Sequence, residues 1–239
     1  MKTVLITGAG RRTGLGFETA RQLGRKGWHV ILAARKQDQL DSLVKELRDG
    51  GANVSSVVMD LMNDASVAAA AKQIGQAFGV LDVLINNAAV MTAGATIEDQ
   101  DLDELRKTFE TNVIGTWSVI QTFIPLLKKS QHPRIVNVSS GAGSFEDPQY
   151  GLLHGTVVTN PMGYGISKLA VNGITIKAAK ELKPFGILVN SVCPDVTDTW
   201  GMGFGRNVLD SAKSVVWGAE LPDDGPTGSF FRDGKKLPW

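Results

Sequence analysis

The sequence predicts an α/β domain: a doubly wound parallel sheet of about seven strands with helices on both faces. Three observations carry that reading. Short apolar runs alternate with longer amphipathic stretches along almost all 239 residues. That alternation suits a parallel sheet with helical crossovers, because a strand covered on both faces reads as a continuous apolar run. Polar clusters follow the apolar runs, and right-handed crossovers bring such strand ends to one edge of the sheet. Apolar residues make up 43% of the chain, enough for one sizeable core, so a single domain over residues 1–239 is expected.

Residues 3–6, Thr-Val-Leu-Ile, form the first strand. Thr7, Gly8, Gly10, Gly14 and Gly16 follow, then an amphipathic helix over residues 15–26. Strand, glycine turn and helix in that order make a phosphate cradle. Glycines let a pyrophosphate approach the backbone, and the helix N-terminus offers N–H groups and the positive end of its dipole. Gly8, Gly14, Leu15 and Gly16 are candidate cofactor contacts, and an ordinary tight turn is the alternative. The second strand, residues 28–33, ends in Ala34-Arg35-Lys36. A carboxylate at that strand end would bind the ribose 2′-hydroxyl of NAD. Ala34 and Arg35 stand there instead, and Arg11 and Arg12 lie in the glycine turn. A guanidinium grips a phosphate through two hydrogen bonds, so Arg11, Arg12 and Arg35 point to NADPH/NADP+ rather than NAD(H).

A helix over residues 39–48, closed by Gly50-Gly51, leads to a third strand over 54–59 that ends at Asp60-Leu61. Asp60 either accepts a hydrogen bond from an adenine amino group or caps the next helix, over 67–78. The fourth strand, 80–85, runs into Asn86-Asn87-Ala88-Ala89. These small residues and amides suit close approach to a flat ligand, or an ordinary turn. Two helices follow, over 101–111 and 112–129, with Trp117, Phe123 and Leu126 as core positions. Asn112 is a polar residue in apolar company and needs partners if buried. The fifth strand, 134–138, ends in Ser139-Ser140-Gly141. Residues 143–161 form a long loop of the kind that is often functional. A helix over 162–182, a sixth strand over 187–192 ending in Cys193-Pro194-Asp195, a second loop over 196–207, a helix over 208–220 and a last strand over 228–231 complete the pattern. Arg232, Lys235 and Lys236 fall in a tail that ends at Trp239.

Tyr164 and Lys168 are four residues apart on the 162–182 helix, so both side chains share one face. A tyrosine hydroxyl titrates near about pH 10. A nearby ammonium favours the phenolate and lowers that value, which makes the pair a proton donor for a reacting oxygen. The alternative is a core-edge tyrosine beside a solvated lysine. Tyr150, the other tyrosine, has His154 rather than a lysine four residues on and reads as a substrate-pocket or loop residue.

Net charge is +1, so no global field recruits nucleic acid or an anionic membrane. The single Cys193 excludes an intramolecular disulfide framework and a cysteine-rich metal site, and reads as a small buried apolar residue. His29 and His132 lack partners at metal-ligand spacing, and no metal is expected. No stretch is long enough to span a bilayer and no signal peptide precedes the first strand, so a cytoplasmic protein is expected.

Taken together, Thr7-Gly8 with Gly14-Leu15-Gly16, Asp60-Leu61, Asn86-Asn87-Ala88, Asn112, Ser139-Ser140, Tyr164-x-x-x-Lys168 and Pro194 with Thr199 resemble the short-chain dehydrogenase/reductase family of the classical type. The resemblance covers essentially the whole chain. It implies a Rossmann-type fold with a seven-stranded parallel sheet and a Ser–Tyr–Lys site assisted by an asparagine. The reaction it implies is hydride transfer between a nicotinamide and a carbonyl carbon of a small-molecule carbonyl or alcohol substrate. Tyr164 then donates the proton, Lys168 lowers the tyrosine pKa and binds the nicotinamide ribose, and Ser140 rather than Ser139 positions the substrate oxygen. Asn112 holds a water that links Lys168 to solvent. Leu61, Asn87, Pro194, Val196 and Thr199 join the cofactor contacts. The long segment from Ser140 to Tyr164 and the closing stretch from Gly225 to Trp239 are similar to those of carbonyl reductases. An alcohol or steroid dehydrogenase working oxidatively, or a non-catalytic NADP(H)-binding sensor, are the other readings, and the chain is expected as a monomer or small homo-oligomer. Four departures from the family pattern stand out. The glycine turn carries a two-residue insertion, Ala89 and Asp195 occupy positions where glycine is usual, and the segment after Thr199 is short.

Overall fold

The computed structural model of the chain describes residues 1–91, 96–155, 162–199, 201 and 203–239. The expected substrate loops therefore fall in part outside the described residues, at 156–161 in the first and at 200 and 202 in the second. The strands are β1 (Thr3–Ile6), β2 (His29–Ala34), β3 (Asn53–Val58), β4 (Val83–Asn86), β5 (Arg134–Val138), β6 (Leu188–Val192), β7 (Phe230–Arg232) and β8 (Lys235–Leu237). The α-helices are α1 (Leu15–Arg25), α2 (Gln37–Asp49), α3 (Asp64–Phe78), α4 (Leu102–Phe109), α5 (Thr116–Leu127), α6 (Met162–Leu182) and α7 (Val208–Ala219). Among the described residues no helix is long and apolar enough to cross a membrane.

The strands form one sheet in the order β3-β2-β1-β4-β5-β6-β7-β8. Strands β1 to β7 pair in parallel, and β8 pairs with β7 antiparallel. The chain winds outward from β1 to β3, then returns to lay β4 against the other side of β1. The crevice at this reversal lies at the carboxyl ends of β1 and β4, where open α/β sheets place their ligands.

Alternation along each strand builds two cores. Val4 and Ile6 of β1, Val30 and Leu32 of β2 and Val83 and Ile85 of β4 share one cluster with Phe17 and Leu23 of α1 and Val215 of α7. Leu5, Ile31 and Leu84 point the other way, into a cluster with Val67 and Ile74 of α3, Phe123 of α5 and Ile174 of α6. This two-sided burial is why the strands read as unbroken apolar runs.

Two features differ from the expectation. The sheet has eight strands rather than seven, because the expected tail folds back as β8. Asp233 (φ 52°) and Gly234 (φ 72°) make the turn, and paired positive φ values are what a tight two-residue hairpin turn needs. The expected helices over 101–111 and 112–129 are one continuous run, α4 and α5 joined by a π-helical segment, Glu110–Gly115. Side-chain periodicity cannot separate such a bulge from an ordinary α-helical turn.

The described part of the first loop is held by an ion pair that no local pattern announces. Asp147 is fully buried, and its Oδ2 accepts from Nη2 of Arg232 at 2.6 Å. Its Oδ1 accepts from the backbone N–H groups of Gln149 and Tyr150. Removing one partner of a buried pair leaves the other charge uncompensated. Asp147→Ala is therefore expected to cost about 3–5 kcal/mol in equilibrium urea unfolding, and a loss under about 1 kcal/mol would show that the pair does not anchor the loop.

Candidate active site

The turn after β5 and the first turns of α6 meet with almost no space between them. A Cβ on Gly143 would lie 2.5 Å from the Lys168 carbonyl carbon and 2.7 Å from the Leu169 nitrogen. Only glycine permits that approach, and Asn172 of α6 locks it by donating to the Gly143 carbonyl at 2.9 Å. The contact sets Ser140, at the start of this turn, against Tyr164 and Lys168. Ser140 and Tyr164 are hydrogen-bonded, and the Ser140 Oγ also accepts from the Ala142 N–H at 3.2 Å. Ser139 is buried and bonds weakly to the Lys168 carbonyl, so it supports the turn.

Lys168 is 3% exposed. Its Nζ lies 5.6 Å from the centroid of the Tyr164 ring and donates to the Val138 carbonyl at 2.7 Å. Burial pushes the ammonium down to about 8, opposed by the nearby Cys193 sulfur. Burial also pushes the Tyr164 phenol well up, Cys193 adds to that, and the Ser140 hydrogen bond pulls it back. The expectation that Lys168 lowers the tyrosine pKa is not met by the protein alone, because desolvation disfavours the charged form of both groups. Cys193 itself is buried, its thiol pushed up by burial, with Arg232 and the Asp195 N–H as its neighbours.

Asn112 sits in the π-helical segment, a form frequent at functional sites. Its Oδ1 accepts from the Val90 N–H at 2.8 Å, and its Nδ2 donates to the Val90 carbonyl at 2.9 Å and to Ser167 Oγ at 3.0 Å. The side chain thus clamps the segment that follows β4, at Val90, to the residue before Lys168.

The glycine turn has the features a dinucleotide needs. No side chain caps the N-terminus of α1 or of α2, whereas Asn63, Asp101 and Asn207 cap α3, α4 and α7. Gly8 has φ 67°, and a Cβ there would lie 2.6 Å from Ala88 Cα. Cβ atoms on Gly10 and Gly16 would collide with Ala34 Cβ and Asn87 Nδ2, each at 2.6 Å. Asn87 holds the turn by donating from Nδ2 to the Thr7 carbonyl at 2.7 Å, while Thr7 Oγ1 accepts from the N–H groups of Asn87 and Ala88. Thr7 is thus part of the cradle, a role its place beside Gly8 only hinted at. The two-residue insertion forms a turn in which the Gly14 N–H donates to the Arg11 carbonyl at 2.9 Å. It carries Arg12 out to α2, where Nε pairs with Glu46 at 2.7 Å.

The remaining candidates divide. Arg11 is half-buried beside Gly14, and Arg35 is exposed at the end of β2. Asp60 does not cap α3, since Asn63 does; its Oδ1 accepts from the Met62 N–H. Leu61 is buried, within 2.8 Å of where a Gly115 Cβ would be. Pro194 is buried at the end of β6. Val196 and Thr199 lie in the second loop, which the Thr197–Arg206 bridge closes on itself. Gly8, Arg35, Asp60, Asn87, Ser140 and Pro194 all follow strand ends on the same edge of the sheet, where α6 places Tyr164 and Lys168.

A family model described as short chain dehydrogenase matches residues 2–204. Short-chain dehydrogenase anuI of Penicillium roqueforti (strain FM164) is 36% identical over 228 residues, covering 89% of this chain and 86% of that protein. The (+)-neomenthol dehydrogenase of Arabidopsis thaliana is 32% identical over 284 residues, covering 95% and 94%. The NADPH-bound carbonyl reductase from chicken fatty liver superimposes with a TM-score of 0.85 at 26% identity, over 100% of this chain and 94% of that one.

The buried lysine gives a pH signature. With its folded value about 8, below the ordinary lysine value, Lys168 binds fewer protons folded than unfolded between the two. Its contribution to stability therefore rises with pH across that window. Wild type should gain several degrees of melting temperature relative to Lys168→Met between pH 7 and pH 10. A flat or falling difference would mean that Lys168 is not desolvated.

Proposed function

The chain belongs to the short-chain dehydrogenase/reductase family, and from that premise we propose that it is an NADPH-dependent reductase of the carbonyl reductase type, converting a ketone or aldehyde to an alcohol. The observation that carries the reading is the convergence of Ser140, Tyr164 and buried Lys168 on the sheet edge that holds the glycine cradle. NADPH, when bound, supplies the hydride to the carbonyl carbon. Tyr164 holds the proton that the carbonyl oxygen takes as charge builds on it. Its raised pKa keeps that proton in place through the neutral range. Ser140 donates a hydrogen bond to the same oxygen, the kind of preorganised donor that stabilises developing charge. Lys168, at about 8, is a better proton source than an ordinary lysine and can restore the tyrosine after turnover. Asn112 positions Lys168 through Ser167, and the second lone pair of its Oδ1 can hold the water that links the lysine to solvent.

Gly8, Gly14, Leu15 and Gly16 would cradle the pyrophosphate, and the uncapped start of α1 suits its charge. Arg35 and Arg11 would take the 2′-phosphate, with Arg12 joining them if it leaves Glu46. Asp60 and Leu61 would meet the adenine; Asn87, Pro194, Val196 and Thr199 would meet the nicotinamide half. The chicken protein, with NADPH bound and named a carbonyl reductase, supports both cofactor and reaction. The name of the Arabidopsis protein, a dehydrogenase of an alcohol, favours the oxidative direction as a second reading.

Two measurements test this reading. Tyr164→Phe should lower reduction of 4-nitrobenzaldehyde, followed by NADPH absorbance, by about three orders of magnitude or more while leaving NADPH binding intact; near-normal turnover would remove Tyr164 from the chemistry. NADPH should bind at least about tenfold more tightly than NADH by fluorescence titration, and Arg35→Asp should erase most of that preference. Equal affinities in wild type would overturn the phosphate assignment.

A further inference from the structure

Asp195 has two properties that the reaction leaves unused. Its φ is 67°, a left-handed backbone that it shares, among the described non-glycine residues, only with Asp233. A residue held in that region is strained, and the surrounding structure must support it. Its Oδ1 also accepts hydrogen bonds from the Tyr150 hydroxyl at 3.1 Å and from the Val196 N–H at 2.8 Å. Tyr150 belongs to the first substrate loop and Asp195 opens the second, so this bond joins the two.

The Tyr150 ring lies where it can shape the site. A Cβ on Gly141, the residue after Ser140, would come within 3.0 Å of Tyr150 Cδ2. The Arg232 guanidinium sits 5.3 Å from the ring centroid, and Asp147 fixes the Tyr150 backbone N–H. Turn, loop and β7 thus flank the half-buried ring, and Asp195 accepts from its hydroxyl.

We propose that Asp195 and Tyr150 are a positioning pair that fixes the wall of the carbonyl pocket beside Ser140. Asp195 acts through Tyr150 and not on the reacting atoms. The inference rests on the reductase reading for what the pocket holds, but not for the existence of the pair. A glycine would adopt this backbone without strain and could not hold the tyrosine. Fold and function therefore pull in opposite directions at this residue, and that makes the test clean.

Asp195→Gly should raise KM for 4-nitrobenzaldehyde about five- to tenfold with kcat within about twofold, at a melting temperature equal to or above wild type. Asp195→Asn, which tolerates the backbone and still accepts from Tyr150, should stay within about twofold of wild type. Tyr150→Phe should reproduce the Asp195→Gly effect, and the double variant should be no worse than either alone. An unchanged KM in Asp195→Gly, or additive effects in the double variant, would overturn the proposal. A readout without turnover separates this from failure of the reductase reading. The chain has only two tyrosines, so Tyr164→Phe leaves Tyr150 as the only phenol to titrate by ultraviolet absorbance. Burial and then Asp195 hold that phenol high, against Arg232, with Cys193 adding to the rise. Adding Asp195→Gly should move its titration to lower pH. That shift with no reduction by wild type would discard the reductase reading and keep the pair; no shift would discard the pair.

Discussion

Lys168 is almost wholly withdrawn from water, and the one carbonyl that receives its ammonium, Val138 O, belongs to the last residue of β5. The site depends on that arrangement. A buried ammonium is expensive unless something accepts its protons, and a strand end offers a carbonyl beyond the sheet ladder. The close packing of Gly143 on the Lys168 backbone also brings Ser140 to Tyr164. Burial then acts on both titratable groups, so the phenol keeps its proton and the ammonium gives its proton up more readily. In the reductase proposed above, a proton relay from lysine to tyrosine would rest on desolvation, without a lowered tyrosine pKa.

Asparagine residues do comparable structural work on either side of this contact. Asn112 joins the π-helical segment to Val90, in the chain that follows β4, and to Ser167. Asn172 joins α6 to the turn after β5. Asn87 joins the end of β4 to the glycine turn. Each replaces water at backbone groups that lie beyond the ends of strands or in tight turns, where the sheet ladder no longer satisfies them. A crevice open enough for a ligand leaves such groups exposed to one another, and amides, with a donor and an acceptor on one planar group, are suited to closing them.

Much of this was legible in the sequence. The strands β1, β2, β4, β5 and β6 are buried on both faces along almost their whole length, and most of their residues are apolar. Most of the candidate site residues follow their carboxyl ends. What escaped has a common cause: interactions between distant segments leave no periodic trace. The Asp147–Arg232 pair spans the first loop and β7, and the Tyr150–Asp195 bond spans two loops. β8 is only three residues long, with two lysines, and its Asp-Gly turn was the available signal. The π-helical segment changes hydrogen bonding without changing residue spacing. The pairing of Arg12 with Glu46 of α2, 34 residues along the chain, is likewise invisible in the glycine-turn pattern.

The hairpin of β7 and β8 gathers contacts from both loops. Arg232 holds the first loop through Asp147, and the Trp239 carbonyl accepts from the Phe145 N–H at 3.0 Å. Asp233, in the hairpin turn, receives Arg206 Nη1 from the second loop at 2.8 Å and Ser214 Oγ from α7 at 3.0 Å. Both loops beside Ser140 and Tyr164 are therefore fastened to one short element at the end of the sheet. The family model ends at residue 204, before that element begins. Ser140, Tyr164 and Lys168 lie inside the match, while the anchors of both loops include residues beyond it. A change in Arg232 or Asp233 would alter the shape of the pocket while leaving Ser140, Tyr164 and Lys168 in place, so two chains with the same catalytic residues can differ in what they accept.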